Sequence, residues 1–145
     1  MHSYKLQTSK DMLNLLELKE LNESVGSRPR PIEKWTRALT FSPYIAYVHD
    51  NSGALVGFGR LEKNEPVILL YDMCVKPECQ GQGVGTMVLN SLITQAKSAM
   101  ITEIGLSAWT DRARNFYLQH GFIDSNTNKD LKNYMSASLI RNDNK

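Results

Sequence analysis

The stretch Asp72-Met73-Cys74-Val75-Lys76-Pro77-Glu78-Cys79-Gln80-Gly81-Gln82-Gly83-Val84-Gly85-Thr86 decides the fold of this chain. It closes an almost wholly apolar run over 67–75 (VILLYDMCV). Such a run predicts a central strand covered on both faces. Behind it, Val84, Val88, Leu92 and Ala96 recur every four residues, which predicts a long amphipathic helix ending near Met100. Between strand and helix, Pro77, Gly81, Gly83 and Gly85 punctuate the backbone. Glycines let backbone N–H groups approach a ligand without interference from a Cβ. A helix start adds unpaired N–H groups and a partial positive charge. Together they predict an anion site suited to a diphosphate.

Two well-known phosphate-binding patterns do not fit this turn. A P-loop requires a Lys directly after its last glycine, and no Lys follows here. A dinucleotide fingerprint GxGxxG started at Gly81 needs a glycine at Thr86, and one started at Gly83 needs it at Val88. The antiparallel hairpin predicted just upstream also argues against a βαβ unit.

Working outward, residues 44–49 and 54–62 read as strands joined by a tight turn at 50–53 (DNSG), and 63–66 (KNEP) is a second turn. Upstream, 3–7 is a short strand. Thr8 and Asp11 have capping-box spacing and are expected to open a helix running to about Leu21. Residues 22–31 are mostly polar, and Pro31 is placed to start a helix over 32–39. Downstream, 103–109 alternates as a strand, Asp111 is placed to cap a helix through Gln119, and Gly121 to end it in the left-handed conformation. A final strand covers 134–140. Loose segments are expected at 27–31 and 124–130 and in the tail. The order predicts an α/β (α+β) fold around one mixed sheet.

Composition sets the bounds. The 145 residues suit a single domain over 1–145. A net charge of +2 is too small to argue for nucleic acid or an acidic membrane as partner. The N-terminus lacks an uninterrupted apolar segment of the kind a secretory leader carries, and no run approaches about 20 apolar residues. A cytoplasmic protein is therefore expected. The cysteines, Cys74 and Cys79, have neither CxxC spacing nor clustered His, so reduced thiols are expected and no metal site.

Gln80-x-x-Gly83-x-Gly85 resembles the Q/R-x-x-G-x-G/A signature of the GNAT N-acetyltransferase superfamily. Upstream, Asp72 and Val75-x-Pro77 stand where the family often shows an Asp followed by V-x-P. Downstream, Ala113, Phe116, Tyr117, Gly121 and Phe122 match its A-x-x-F-Y-x-x-x-G-F block. The order of elements agrees along nearly the whole chain. The resemblance implies one mixed, mostly antiparallel twisted sheet of about six to seven strands, flanked by about four helices, with splayed central strands. It implies acetyl-CoA as co-substrate, no metal, and transfer of the acetyl group to an amine by direct attack.

The resemblance also distributes roles. The N–H groups of Gln82, Gly83, Val84, Gly85 and Thr86 would cradle the coenzyme A diphosphate, with Gln80 and Gly81 in the same turn. The backbone of Met73, Cys74 and Val75 would pair with the pantetheine arm, and an N–H near Met73 or Cys74 would polarise the thioester carbonyl. Tyr117 would protonate the departing thiolate. Thr110 replaces an Asn that contacts the cofactor in many members, and Asn115 sits at a different motif position.

A base is harder to read. Asp72, on the apolar strand, and Glu23, in the loop expected after the first helix, are the candidates; a water without a dedicated base is a third option. His120 is expected on the solvated surface. The acceptor site is expected from Asn22, Glu23, Ser24, Val25, Trp35 and Arg60, with Arg60 available for a substrate carboxylate. Trp109 either walls that site or packs. The acceptor is expected to be an amine of a small molecule, amino acid or peptide. The alternatives are a non-catalytic acyl-CoA sensor and a protein N-terminal or lysine acetyltransferase. Monomer and homodimer are both open.

Overall fold

A computed structural model describes residues 3–140. Seven strands form one sheet in the order β1-β2-β3-β4-β5-β7-β6. They are β1 (Lys5–Gln7), β2 (Tyr44–His49), β3 (Leu55–Asn64), β4 (Val67–Val75), β5 (Glu103–Ser107), β6 (Ile123–Asp124) and β7 (Tyr134–Ser138). The α-helices are α1 (Leu15–Ser24), α2 (Ile32–Thr40), α3 (Val84–Ser98) and α4 (Asp111–Gln119). Every strand pair is antiparallel except β4–β5. The expected mixed, mostly antiparallel sheet with four helices is what the chain forms.

Apolar residues alternate between the two faces because successive side chains of a strand point opposite ways. On β2, Ile45 and Tyr47 join a cluster with Leu18, Leu21, Trp35 and Leu39 of α1 and α2. Ala46 and Val48 join the opposite cluster with Val88, Leu89, Leu92 and Ala96 of α3. The helices α1 and α2 thus cover one face, and α3 covers the other.

Two irregularities of β4 prepare the site. First, β4 pairs with β5 only at Ile68↔Ile104 and Leu69↔Gly105. Beyond Leu69 the two strands part, so the end of β4 turns an unladdered edge toward a gap. Second, Phe58 faces Cys74 but Arg60 faces Tyr71. Two steps along β3 match three along β4, which is a β-bulge. Asp72 sits in it with φ of 56°, a left-handed conformation that Asp tolerates better than most residues. Strand β4 is accordingly buried on both faces only over Ile68–Leu70; Tyr71 is exposed and Asp72 and Met73 are half-buried.

Several local expectations are corrected. The first helix is capped by Asn14, whose side chain accepts from the Glu17 amide at 3.0 Å; Lys10–Met12 is only a 3-10 turn. That shift carries Asn22, Glu23 and Ser24 into the last turn of α1 rather than a loop. Helix α4 is capped by Thr110, whose Oγ1 accepts from the Ala113 amide at 3.1 Å, and Asp111 is its first residue. The pair Ile123–Asp124, expected partly in a loose segment, is the edge strand β6. Gly121 ends α4 with φ of 90°, as expected. The tail at 141–145 lies outside the described residues.

Candidate active site

A cleft of about 560 Å³ opens where β4 and β5 part. Its walls come from three elements. The end of β4 contributes Met73, Cys74 and Val75; the turn and α3 contribute Cys79, Gln80, Gly81, Gly83, Gly85 and Thr86; α4 and its cap contribute Thr110, Arg112, Ala113, Phe116, Tyr117, Gln119 and His120. Val25, just past α1, completes the rim.

The glycines of the turn have distinct jobs. Gly81 and Gly83 have φ of 80° and 88°, a region that a side-chain-bearing residue enters only with strain. Gly85 instead makes room: a Cβ there would lie 3.2 Å from the Phe116 ring. Gly83 is the N-cap of α3 and offers no side chain to its amides, and the first turn carries no acidic residue. Among the described residues, no protein acceptor takes the amides of Gln82, Gly83, Val84, Gly85 or Thr86. The helix mouth is therefore open to an anion. Gln80 braces the turn, its Nε2 donating to the Val75 carbonyl at 3.0 Å. The Gln82 side chain points away from the cleft and accepts from the Tyr4 hydroxyl. The Val84 side chain is core.

At the other end sits Tyr117, 7% exposed, edge-on to Phe116 and Phe122. Burial pushes its phenol well above the ordinary value, with the Cys74 sulfur adding to the shift. Among the described residues its hydroxyl has no hydrogen-bond partner. It is a neutral donor facing a cavity. Burial likewise pushes the Cys74 thiol up to about 12, with the Asp72 charge adding and the Asn22 side chain partly offsetting. A thiol so protonated is no nucleophile at neutral pH.

Asp72 lies behind the cleft wall rather than in it. Its carboxylate takes Arg30 Nη1 at 3.0 Å, Arg30 Nη2, and Arg60 Nε at 2.8 Å. Burial alone would raise its pKa, but the hydrogen bonds from Arg30 and Arg60 outweigh it and hold the carboxyl below the usual range. Arg60 is buried and further engaged by Ser42 Oγ at 3.1 Å and Glu62 Oε2 at 2.6 Å. It is part of the fold's interior, not a free cation. Trp35 is core, 1% exposed, with the Arg30 guanidinium 4.2 Å above its ring. Glu23 pairs with Lys19 on the same helix, and Ser24 Oγ donates back to the Leu21 carbonyl at 2.6 Å. Of the acceptor-site candidates, Val25 lines the cleft and Asn22 is buried beside Cys74.

Sequence reasoning missed Arg30, Arg112 and Gln119, and it put His120 on the surface. His120 is half-buried on the cleft wall, with Nε2 3.0 Å from Thr86 Oγ1 and Nδ1 2.8 Å from the Phe116 carbonyl. The signal was present: Ala113, Phe116, Tyr117 and His120 recur at 0, 3, 4 and 7, one helix face. Asn115 is exposed off that face, and Trp109 is 67% exposed, neither in the core nor on the cleft wall. Thr110 lines the cleft while capping α4, so its O–H remains available to a ligand. Among the described residues, no His, Cys, Asp and Glu gather as a metal site, and no helix is long and apolar enough to cross a membrane.

Comparison with known proteins bears directly on this arrangement. The chain is 37% identical over 115 residues to an uncharacterized N-acetyltransferase, ycf52, of Porphyra purpurea, which covers 77% of this chain and 66% of that protein. It is 28% identical over 145 residues to serotonin N-acetyltransferase 2, chloroplastic, of Oryza sativa subsp. japonica, covering 96% and 72%. The chain thus spans about two thirds of the length of the curated relatives it matches. Among solved structures, an acetyltransferase of the GNAT family from Staphylococcus aureus Mu50 superimposes with a TM-score of 0.80 at 18% identity, covering 95% of this chain and all of that one. The ribosomal-protein-S18-alanine N-acetyltransferase of Escherichia coli superimposes at 0.75 and 17% identity, covering 99% and 98%. These two share the fold. The model of the Acetyltransferase (GNAT) family matches residues 10–122, so the chain belongs to that family.

Proposed function

We propose that this chain transfers the acetyl group of acetyl-CoA to a primary amine of a small molecule, amino acid or peptide, by direct attack. One observation carries the reading: among the described residues, one cleft has unclaimed amides at the mouth of α3 and the unpartnered phenol of Tyr117 on its wall. The residues fit the co-substrate. The amides of Gln82–Thr86 would hold the diphosphate, and the edge of β4 at Met73, Cys74 and Val75 would pair with the peptide-like arm. When bound, acetyl-CoA supplies an activated thioester and a thiol leaving group.

The chain's own groups do the rest. An amide of the bulged β4 end stabilises charge on the carbonyl oxygen. Tyr117 keeps its proton until negative charge builds on the departing sulfur, then donates it. Cys74, protonated and buried, takes no covalent part. Asp72 is committed to Arg30 and Arg60 and Glu23 to Lys19, so the proton of the amine leaves through water. One relative's name specifies an acceptor, serotonin for the rice protein. Serotonin is a primary amine, which supports the acceptor class.

The test is to incubate purified chain with acetyl-CoA and a broad amine panel and to follow free thiol. Release that depends on both substrates is expected. Coenzyme A binding without release on any amine would instead support an acyl-CoA sensor.

A further inference from the structure

Helices α3 and α4 meet at the cleft through a hydrogen bond between Thr86 and His120. His120 follows the last residue of α4. Its Nδ1 is 2.8 Å from the Phe116 carbonyl, which only accepts, so Nδ1 carries hydrogen in either charge state. Its Nε2 is 3.0 Å from Thr86 Oγ1. With a neutral ring, Nε2 accepts, and the Thr86 hydroxyl hydrogen is spent on it. With a charged ring, Nε2–H donates to Oγ1, and the hydroxyl hydrogen is free to swing toward the mouth of α3. Thr86 is in the first turn of α3, next to the amides that no group among the described residues claims. The ring is held for this role, 4.4 Å from the Phe116 ring.

The surrounding charges favour the coupling once an anion is present. From α3, Thr86 contacts His120, and no acidic residue stands in that first turn. From α4, Arg112 and Tyr117 share the cleft wall with it; from β4 and the turn, Cys74 and Cys79 do. None of these supplies a carboxylate. The positive mouth of α3 opposes a second cation nearby. A bound diphosphate reverses that balance.

We propose that His120 is a positioning residue for the Thr86 hydroxyl, and that a diphosphate bound at the glycine turn is held with uptake of one proton from solvent onto His120. The inference rests on the cofactor reading above and specifies how that site is regulated by pH.

The test is calorimetry of the full chain with 3′-dephospho-coenzyme A. This probe keeps the diphosphate but lacks the phosphomonoester, whose own ionisation near pH ~6 would confuse the result. Imidazoles change charge between about pH 5 and 8, so titrations at about pH 6 and 7.5, each in two buffers of different ionisation enthalpy, report affinity and proton uptake. Affinity about five- to tenfold higher at the lower pH is expected, the size of one ordinary net hydrogen bond. Net proton uptake is expected at the higher pH. Thr86→Val and His120→Phe are expected to flatten the pH dependence, and Thr86→Ser to keep it. His120→Phe preserves the ring contact; should it not fold, Thr86→Val decides alone. Equal affinity at both pH values without proton uptake, or a pH dependence surviving in Thr86→Val, overturns the inference while leaving the cofactor reading intact. No binding by wild type at either pH overturns both.

Discussion

Strand β4 separates two regions built on opposite principles. Behind it, around Asp72, the charges are paired: Asp72 with Arg30 and Arg60, Arg60 in turn with Glu62, and Ser42 Oγ also accepts from Arg60. In front of it, polar groups are left unanswered: the amides at the mouth of α3 and the phenol of Tyr117. Buried polar groups are normally satisfied because leaving one unpaired costs on the order of 1–3 kcal/mol. Unpaired groups beside a cavity are what a ligand can claim, whereas charges saturated by ion pairs hold shape. Asp72, one of the two candidate bases in the sequence, falls on the saturated side.

This contrast is open to attack by substitution. The largest effect is expected on the open side: Tyr117→Phe removes the donor and should lower kcat about a thousandfold, within the general-acid range, with coenzyme A affinity unchanged. Steady-state kinetics with a titration of the variant check this. Equal losses in affinity and rate would make Tyr117 a packing residue.

On the saturated side the expected loss is in stability. Asp72→Asn leaves two arginines against a neutral amide and should cost about 3 kcal/mol, measured by denaturant unfolding at neutral pH. The sign of the pH effect follows from the lowered pKa of Asp72. Its stabilisation is full above the unfolded value near 3.9 and is lost as pH falls through the folded value. Wild-type thermal midpoints should drop below about pH 4, and part of that drop should vanish in the variant.

Smaller effects sharpen the boundary. Gly83→Ala forces a Cβ into the left-handed region, costing about 1–2 kcal/mol, with a parallel loss of coenzyme A affinity of about tenfold. Arg114→Ala removes an exposed pair with Asp124, outside both regions, and should leave the thermal midpoint unmoved.

The division was only half visible in the sequence. Strand β4 and the glycine turn were legible because they are local: eight apolar residues among nine, then glycines at alternate positions. The partners of Asp72 were not, because Arg30 is 42 positions away and Arg60 reaches it only across the sheet. Polar residues carry no periodicity that announces a partner. The bulge was hidden for a similar reason, since an extra residue shows only against the strand that lacks it. The cap of α1 was misplaced because Thr8 and Asp11 imitate a capping box, whereas Asn14 makes the bond to Glu17. His120 was readable on the helix face it shares with Tyr117, but its partner Thr86 comes from another helix.

The most direct measurement is a nitrogen–proton NMR titration of the full chain with coenzyme A, following backbone amides. Large saturating shifts are expected at Gly83, Gly85 and Thr86, smaller ones at Cys74 and Val75, and none around Arg60 and Glu62. Amides of 82–86 that stay still while the ligand saturates, or shifts centred on the Asp72 network, would contradict the account.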